Sequence, residues 1–514
     1  MKKVLSLVLC VLMLVSVTVM GASAAVSYEQ PFNRGTLGSE EFRIPALYTL
    51  NNGAVIAGAD VRYEHGSDSP NNIDITVAIS ENGYTGWKYN VINYFDDYAD
   101  NKTDTDSASY IDSAIAQSST GRIFVVADLY PTGGGWMTAG KGTGYAAING
   151  VNRMLLTKGD YTANPKNFEY YIGDNGVVYN RADNTATEYT VDAEFRLYKN
   201  GAALMMNQKA SDKKVQQNVF YKDAELSAYL TAYLSMRYSD DNGETWSAPQ
   251  IISSQFKQSN ETFVGIGPGR GLVTKLADGK ERILFCVYDN AGTFHDPVFE
   301  NASVIYSDDN GVTWKRSGEI FHKLGLGKTS EAQLVQLTDG VIRMYARNNS
   351  NFIAYADSKD GGVTWSDFVA DKALEGTKNC MVSFIDTTKT INGKKVILSS
   401  AGGNVQSRAD GVIRVGLVDE ATLNVDWITT YRFKAGFYGY SCLTQLADGN
   451  FAILYEDEPS HIQYMIFSVD ESGKISEING NNDEYAPAKL SFWNKIVVFF
   501  KGIFAKLLAM LGML

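Results

Sequence analysis

The chain has 514 residues, 45% of them hydrophobic and 20% charged, so it is globular, long enough for more than one core, and not disordered. Its 58 acidic against 46 basic residues give a net charge of −12, which argues against nucleic acid as a partner and requires any anionic ligand to be held by a local cluster of cations. With Cys10 set aside in the N-terminal apolar run, Cys286, Cys380 and Cys442 are odd in number and widely spaced, and the four histidines are scattered, so neither a disulfide framework nor a metal site is expected.

In chain order, residues 1–25 join two lysines, a long apolar run and a small-residue "ASA" ending, the pattern of an export leader. The product is therefore expected to be secreted or held at the cell surface. "EFRIPALY" (41–48) and "GADVRYEHGSDSPNNIDITV" follow, with Arg43, Asp60, Arg62, Asp68 and Asp74 among strand-like runs. The next signal is a turn written several times: "SDDNGETW" (239–246), "SDDNGVTW" (307–314) and "SKDGGVTW" (358–365), with a looser "ISENGYTGW" at 79–87. In each, an acidic or amide side chain can accept backbone N–H groups, a glycine supplies positive φ, and a tryptophan anchors the hairpin. Apolar and aromatic runs flank every copy, and the spacing suits one turn per four-stranded blade of an all-β propeller. These turns read as structural.

The gap between the first two turns is too long for one blade. Residues 140–232, rich in Tyr, Asn and Asp, read as an inserted small β-domain, leaving 26–139 and 233–480 for the propeller. "GIGPGRGL" (265–272) lacks the spacing of a phosphate loop and reads as a glycine-rich loop at the propeller rim, with Arg270 facing the substrate side. Finally, 490–514 places Ile496, Phe500, Ile503, Phe504, Leu507, Leu511 and Leu514 on one helical face and Lys495, Lys501 and Lys506 away from it. This basic amphipathic helix is expected to lie in a membrane interface; a spanning anchor and a helix docked on protein are the alternatives.

The Phe-Arg-Ile-Pro stretch followed by several S-x-D-x-G-x-T-W turns resembles the bacterial exo-sialidases (neuraminidases), over essentially 40–460. The resemblance implies a six-bladed propeller and a triad of arginines gripping the carboxylate of sialic acid. Arg43 matches the first of them. "SEAQLVQLTDGVIRMYARNNSN" is similar to the segment supplying Glu331 and Arg347, and "GGNVQSRADGVIRVGLV" supplies Arg408, with Arg414 as a competitor. Three planar guanidinium groups suit a carboxylate ligand and stay charged at any working pH. By the same resemblance Asp68 is the acid/base on a mobile loop, with Arg62 as a further substrate-binding cation and Asp60 and Asp74 as alternatives. Tyr440 is the nucleophile, with Tyr438 as its rival, Glu331 is its base, and Glu456 orients Arg43.

A tyrosine is chemically apt, because sialic acid carries its carboxylate on the anomeric carbon and a neutral phenol approaches it without like-charge repulsion; sialidases are the known tyrosine users among glycoside hydrolases. The expected activity is retaining exo-α-sialidase action on glycoproteins, glycolipids or oligosaccharides, without metal or organic cofactor. Transfer of the sialyl group to another sugar, or to the substrate's own hydroxyl, uses the same residues. A sialic-acid-binding propeller lectin would need the arginines but not Asp68, Glu331 and Tyr440 together.

Overall fold

Short β-branched and aromatic runs broken by Gly, Asn and Asp turns fold into six antiparallel blades. The computed structural model describes residues 28–99, 106–290, 300–318, 320, 326–458 and 461–478; the leader and the 490–514 helix lie outside these. The first blade is Glu41–Thr49, Val55–Arg62, Ile73–Ser80 and Lys88–Asn93. The second is Ser109–Gln117, Ile123–Tyr130, Tyr233–Ser239 and Gln250–Ile251. In the third, Val264–Ile266 and Leu272–Lys275 both pair with Glu281–Asp289, followed by Asn301–Ser307 and Lys315–Arg316. The fourth (Thr329–Thr338, Val341–Asn348, Phe352–Ser358, Val369–Glu375), the fifth (Ser383–Ile391, Lys394–Gly402, Gly411–Val418, Val425–Arg432) and the sixth (Ser441–Gln445, Phe451–Glu458, His461–Val469, Ile475–Glu477) are simple meanders.

Strand alternation closes the ring. Successive side chains of a strand point to opposite faces, and here each face packs into a different seam. Val125 enters the cluster shared with the first blade and Val126 the one shared with the third; Leu284 and Phe285, Leu334 and Val335, Ile397 and Leu398, Ile453 and Leu454, and Val55 and Ile56 divide in the same way. Both faces of the inner strands are therefore apolar, whereas Val425–Arg432 at the outer edge alternates between half-buried and exposed. Each fully buried aliphatic side chain contributes about 1.5–3 kcal/mol against exposure, so six such seams hold the ring shut. The last seam, between blades six and one, adds Trp87 edge-on to Tyr464 with centroids 5.6 Å apart and a Tyr464 hydroxyl donating to Gly83 O at 2.8 Å.

The repeated turns join the third and fourth strands of blades one to four. Asp309 accepts from Thr313 N (2.8 Å), Thr313 Oγ1 (2.6 Å) and Ser307 Oγ (2.8 Å), and Asp241 and Asp360 do the same in their blades. Asn82 reproduces the pattern through its side-chain carbonyl, accepting from Tyr84 N and Thr85 N. Gly311, at φ 85°, lies against Phe124 of the second blade, where a Cβ would overlap the ring. The turns thus mark four of the six blades; the fifth and sixth use Asp419 and Asp470 in shorter turns of their own.

The chain leaves the second blade at Tyr130 and returns at Tyr233, and the strands between Tyr145 and Ala228 form a two-stranded pair, Met205–Asn207 with Lys214–Gln216, and a separate eight-stranded sheet. That sheet is not independently cored. Leu156, Val178, Leu197, Phe220 and Ala228 share one apolar cluster with Ile75, Phe95, Tyr110 and Val125 of the first two blades, and Arg237 reaches Glu194 through both terminal nitrogens, at 3.0 and 2.6 Å.

"GIGPGRGL" lies in the wall of the central axis rather than at the rim. Gly269–Arg270 pairs parallel with Ala114 and Ile115, and Gln333 Nε2 donates to Pro268 O at 2.6 Å. Glycine is required there by contact: a Cβ on Gly267 would stand 3.0 Å from Ala332 O and from Cys286 Cβ. Arg270 stacks over Tyr48 at 4.9 Å and does not line the cavity described below.

Candidate active site

In an antiparallel blade the start of the first strand and the loop between the second and third share one end, opposite the repeated turns. At that end lies a cavity of about 350 Å³ lined by Arg43, Asp68, Asp112, Glu331, Arg347, Arg408 and Tyr440, among others. Three inner strands carry an irregularity there. Pairing of Glu41–Thr49 slips between Arg43 and Ala46, that of Ser109–Gln117 between Ile111 and Ser113, and that of Thr329–Thr338 between Thr329 and Ala332. A bulge re-aims a side chain that regular alternation would send into a seam, and these slips fall at Arg43, Asp112 and Glu331.

The "FRIP" stretch acquires a physical meaning at the first bulge. Ile44 adopts φ 58°, a conformation a β-branched residue rarely takes and one that costs of order 1–3 kcal/mol. Its N–H donates to Glu456 Oε1 at 3.1 Å, and Pro45 has no N–H to leave unpaired in the broken ladder. Glu456, fully buried, also accepts from Arg43 Nε (3.2 Å) and from Tyr440 N (3.2 Å). One carboxylate thereby fixes an arginine and a tyrosine from opposite ends of the sequence.

Tyr440 Oη donates to Glu331 Oε1 at 2.6 Å, Arg347 Nη1 donates to Glu331 Oε2 at 2.6 Å and to Tyr440 Oη at 2.8 Å, and Arg408 lies 5.2 Å from the centre of the Tyr440 ring. Burial pushes the phenol well above its ordinary range; Arg347 opposes this and Glu331 adds to it. The phenol is therefore a neutral donor at rest, already aimed at a carboxylate and flanked by two guanidinium groups that would stabilise its anion.

Asp68 sits in the loop between Arg62 and Ile73, where Arg62 Nη1 (2.8 Å) and Arg43 Nη1 (3.3 Å) both reach Oδ1. Burial alone would raise its pKa, but the two arginines win and hold it below the ordinary carboxylate range. The loop is braced rather than loose: Asn71 Nδ2 donates to His65 O (3.0 Å) and Ser67 O (2.8 Å), and Gly135, at the entry to the insert, lies so close to Ser69 that a Cβ would overlap its carbonyl oxygen. The "NN" after Ser-Pro explains the difference from a mobile loop, since an Asn amide satisfies two carbonyls of its own turn.

Arg62 differs from its expected place. It is fully buried, and its donors go to Asp60 (2.8 Å), Gly66 O (2.5 Å) and Asp68, so it meets a carboxylate of the protein rather than the cavity. The rivals also part from the site. Tyr438 is buried against Phe433 and Tyr455 with its hydroxyl on Ser400; Arg414 donates to Glu375 O at 2.7 Å; Asp74 accepts from Tyr63 Oη at 2.8 Å. None of the three lines the cavity.

Sequence reasoning passed over Asp112, Asp128, Trp136, Tyr288, Glu300 and Lys328, which also line the wall. Asp112 stands at φ 56° and lines the cavity, and burial, with Asp60 and Asp128 nearby, pushes its carboxyl well up. Lys328 and Glu300 pair at 2.7 Å across the seam of blades three and four. A charged residue inside "SYIDSAIAQ" and "VVADLY", strands otherwise buried, was the available signal for the two aspartates.

A family model described as a BNR repeat-like domain matches residues 206–453. The chain is 34% identical over 481 residues to the anhydrosialidase of Macrobdella decora, covering 86% of this chain and 62% of that protein. It is 32% identical to Sialidase B of Streptococcus pneumoniae, with 81% and 61% covered. The chain thus spans about three fifths of the length of these curated relatives. The crystal structure of the intramolecular trans-sialidase from Ruminococcus gnavus superposes with a TM-score of 0.79 at 34% identity, covering 88% of this chain and all of that one.

Proposed function

Because the chain belongs to the sialidase family, we propose that it is an exported retaining exo-α-sialidase that removes terminal sialic acid from glycoproteins, glycolipids or oligosaccharides through a tyrosyl-enzyme intermediate. The observation that carries this reading is the Tyr440–Glu331 hydrogen bond at 2.6 Å with Arg347 touching both partners. A binding protein has no use for a buried phenol paired to a base; a nucleophile does.

In this reading Arg43, Arg347 and Arg408 receive the substrate carboxylate, which sets the anomeric carbon over Tyr440. As positive charge develops at that carbon, Glu331 takes the phenolic proton and the oxygen adds, while Asp68 protonates the departing glycosidic oxygen. Asp68 then removes a proton from the incoming acceptor, and the two inversions sum to retention. The substrate carboxylate competes with Asp68 for Arg43, and covering the loop with substrate removes water. Both changes raise Asp68 towards the range where it can carry a proton.

The acceptor separates this reading from a second one. Relatives named anhydrosialidase and intramolecular trans-sialidase favour attack by a hydroxyl of the substrate itself, giving an anhydro sugar in place of free sialic acid. Mass spectrometry of the products from α2,3- and α2,6-sialyllactose tests both. Free sialic acid supports hydrolysis, a product lighter by one water supports intramolecular transfer, and uncleaved substrate at high enzyme concentration removes the enzymatic reading. The 490–514 segment, whose sequence has the pattern of a basic amphipathic helix, is proposed to hold the protein at a membrane surface; an unchanged cell-bound fraction after its deletion would refute that.

A further inference from the structure

We propose that Asp60, which cannot touch substrate, is a positioning residue that acts through Arg62 to keep Asp68 in place and able to carry a proton; this rests on the assignment of Asp68 as the acid. Asp60 and Arg62 lie two residues apart on one face of Val55–Arg62, and both side chains are wholly buried, 2.8 Å from each other. Arg62 extends onward to Asp68 at 2.8 Å, whose side chain is two-thirds exposed, and to Gly66 O in the same loop. Charge therefore alternates from the interior to the cavity: carboxylate, guanidinium, carboxylate. Arg43 closes the line on the far side, bridging Asp68 and Glu456.

The interior end is the informative one. A guanidinium stays protonated, so a buried Arg62 facing Asp68 alone would place its whole charge on the acid and hold it as a carboxylate. Asp60 divides that charge. Its other oxygen accepts from Asp112 N at 3.1 Å, tying the pair to the bulge of the second blade. The groups that face Asp60 are Arg62 on its own strand, Arg43 on the neighbouring strand, Asp68 in the loop, and Asp112 and Asp128 on the second blade. Burial pushes Asp60 up to about 7, with Arg62 and Arg43 holding it down. As it ionises with rising pH it offsets more of Arg62, which favours proton retention by Asp68 in the range where that proton is being lost.

The test is leaving-group dependence. An aryl sialoside such as the 4-methylumbelliferyl derivative departs without protonation, whereas sialyllactose needs the acid. Asp60→Asn keeps the shape and removes the charge. It should slow 3′-sialyllactose turnover by about tenfold at pH 7, slow the aryl substrate less than about threefold, and move the alkaline limb of kcat on sialyllactose, which reads Asp68 in the substrate complex, down by about one pH unit. The double variant Asp60→Asn/Arg62→Gln, which leaves no unpaired buried charge, should move that limb up instead, because Asp68 then loses its closest cation. Opposite shifts are not produced by general loosening of the fold. Equal losses on both substrates with an unmoved limb in Asp60→Asn, or, where that variant does not fold, an unmoved limb in the double variant, would overturn the proposal. Asp68→Asn separates this failure from a wrong acid: if it also slows both substrates equally, the acid assignment itself falls.

Discussion

The two ends of the propeller are built on different rules. At one end, four blades repeat the same eight- or nine-residue turn, held chiefly by near neighbours: Asp309 bonds Ser307 and Thr313, and the tryptophan of that turn closes on Gly311 O at 3.2 Å. At the other end nothing repeats. Glu456 of the sixth blade holds Arg43 of the first, and Glu331 of the fourth meets Tyr440 at the start of the sixth, contacts between residues 413 and 109 positions apart. Local turns tolerate damage locally; a site walled by all six blades does not. The difference yields predictions of sharply unequal size.

The largest effect is expected at the phenol. Tyr440→Phe should lower kcat by about 10³-fold or more while melting within a few degrees of the wild type, and adding Glu331→Gln should cost little further because the pair acts as a unit. Additive losses would show that the two work separately. Next, Arg347→Ala removes a partner of the substrate carboxylate, of Glu331 and of Tyr440 together. It should weaken binding of a sialic acid analogue by about 2–5 kcal/mol, measured by calorimetry, and unchanged affinity would remove it from the triad.

An intermediate effect tests whether the insert supports the site. Gly135→Ala forces a methyl against Ser69 and should displace the Asp68 loop, lowering kcat/KM by about tenfold for about 1–3 kcal/mol of stability, read by denaturation. A stability loss without a kinetic one would confine Gly135 to packing. The smallest effect belongs to the repeated end. Asp309→Ala should cost roughly 1 kcal/mol and leave kcat nearly intact. A folded variant without turnover would abolish the distinction between the two ends.

The same contrast explains what could be read before the fold was seen. The turns were legible because their hydrogen bonds run between near neighbours, and even Asn82 for Asp keeps the accepting oxygen. The seams were legible as apolar runs, though not the alternation of Val125 and Val126 into different neighbours, which depends on ring closure. Cavity residues in distinctive stretches, such as Arg43, Glu331, Arg347 and Tyr440, were singled out through resemblance, and the fold brings them to one cavity. Asp112 and Lys328 were not, because what brings them to the cavity is a bulge and a seam, and neither has a local signature. The place of Arg62 was hidden for a related reason: a cation beside the acid loop suits a ligand or a carboxylate of the protein equally well, and Asp60 stands behind it.

The central claim is that Tyr440, poised on Glu331, is the atom donor to the anomeric carbon. A sialic acid derivative fluorinated beside that carbon slows breakdown of a covalent intermediate, so incubation followed by peptide mapping reads the nucleophile directly. The account predicts a stoichiometric adduct on Tyr440 that is absent from Tyr440→Phe. An adduct on a carboxylate, or near-normal turnover by Tyr440→Phe, would contradict it.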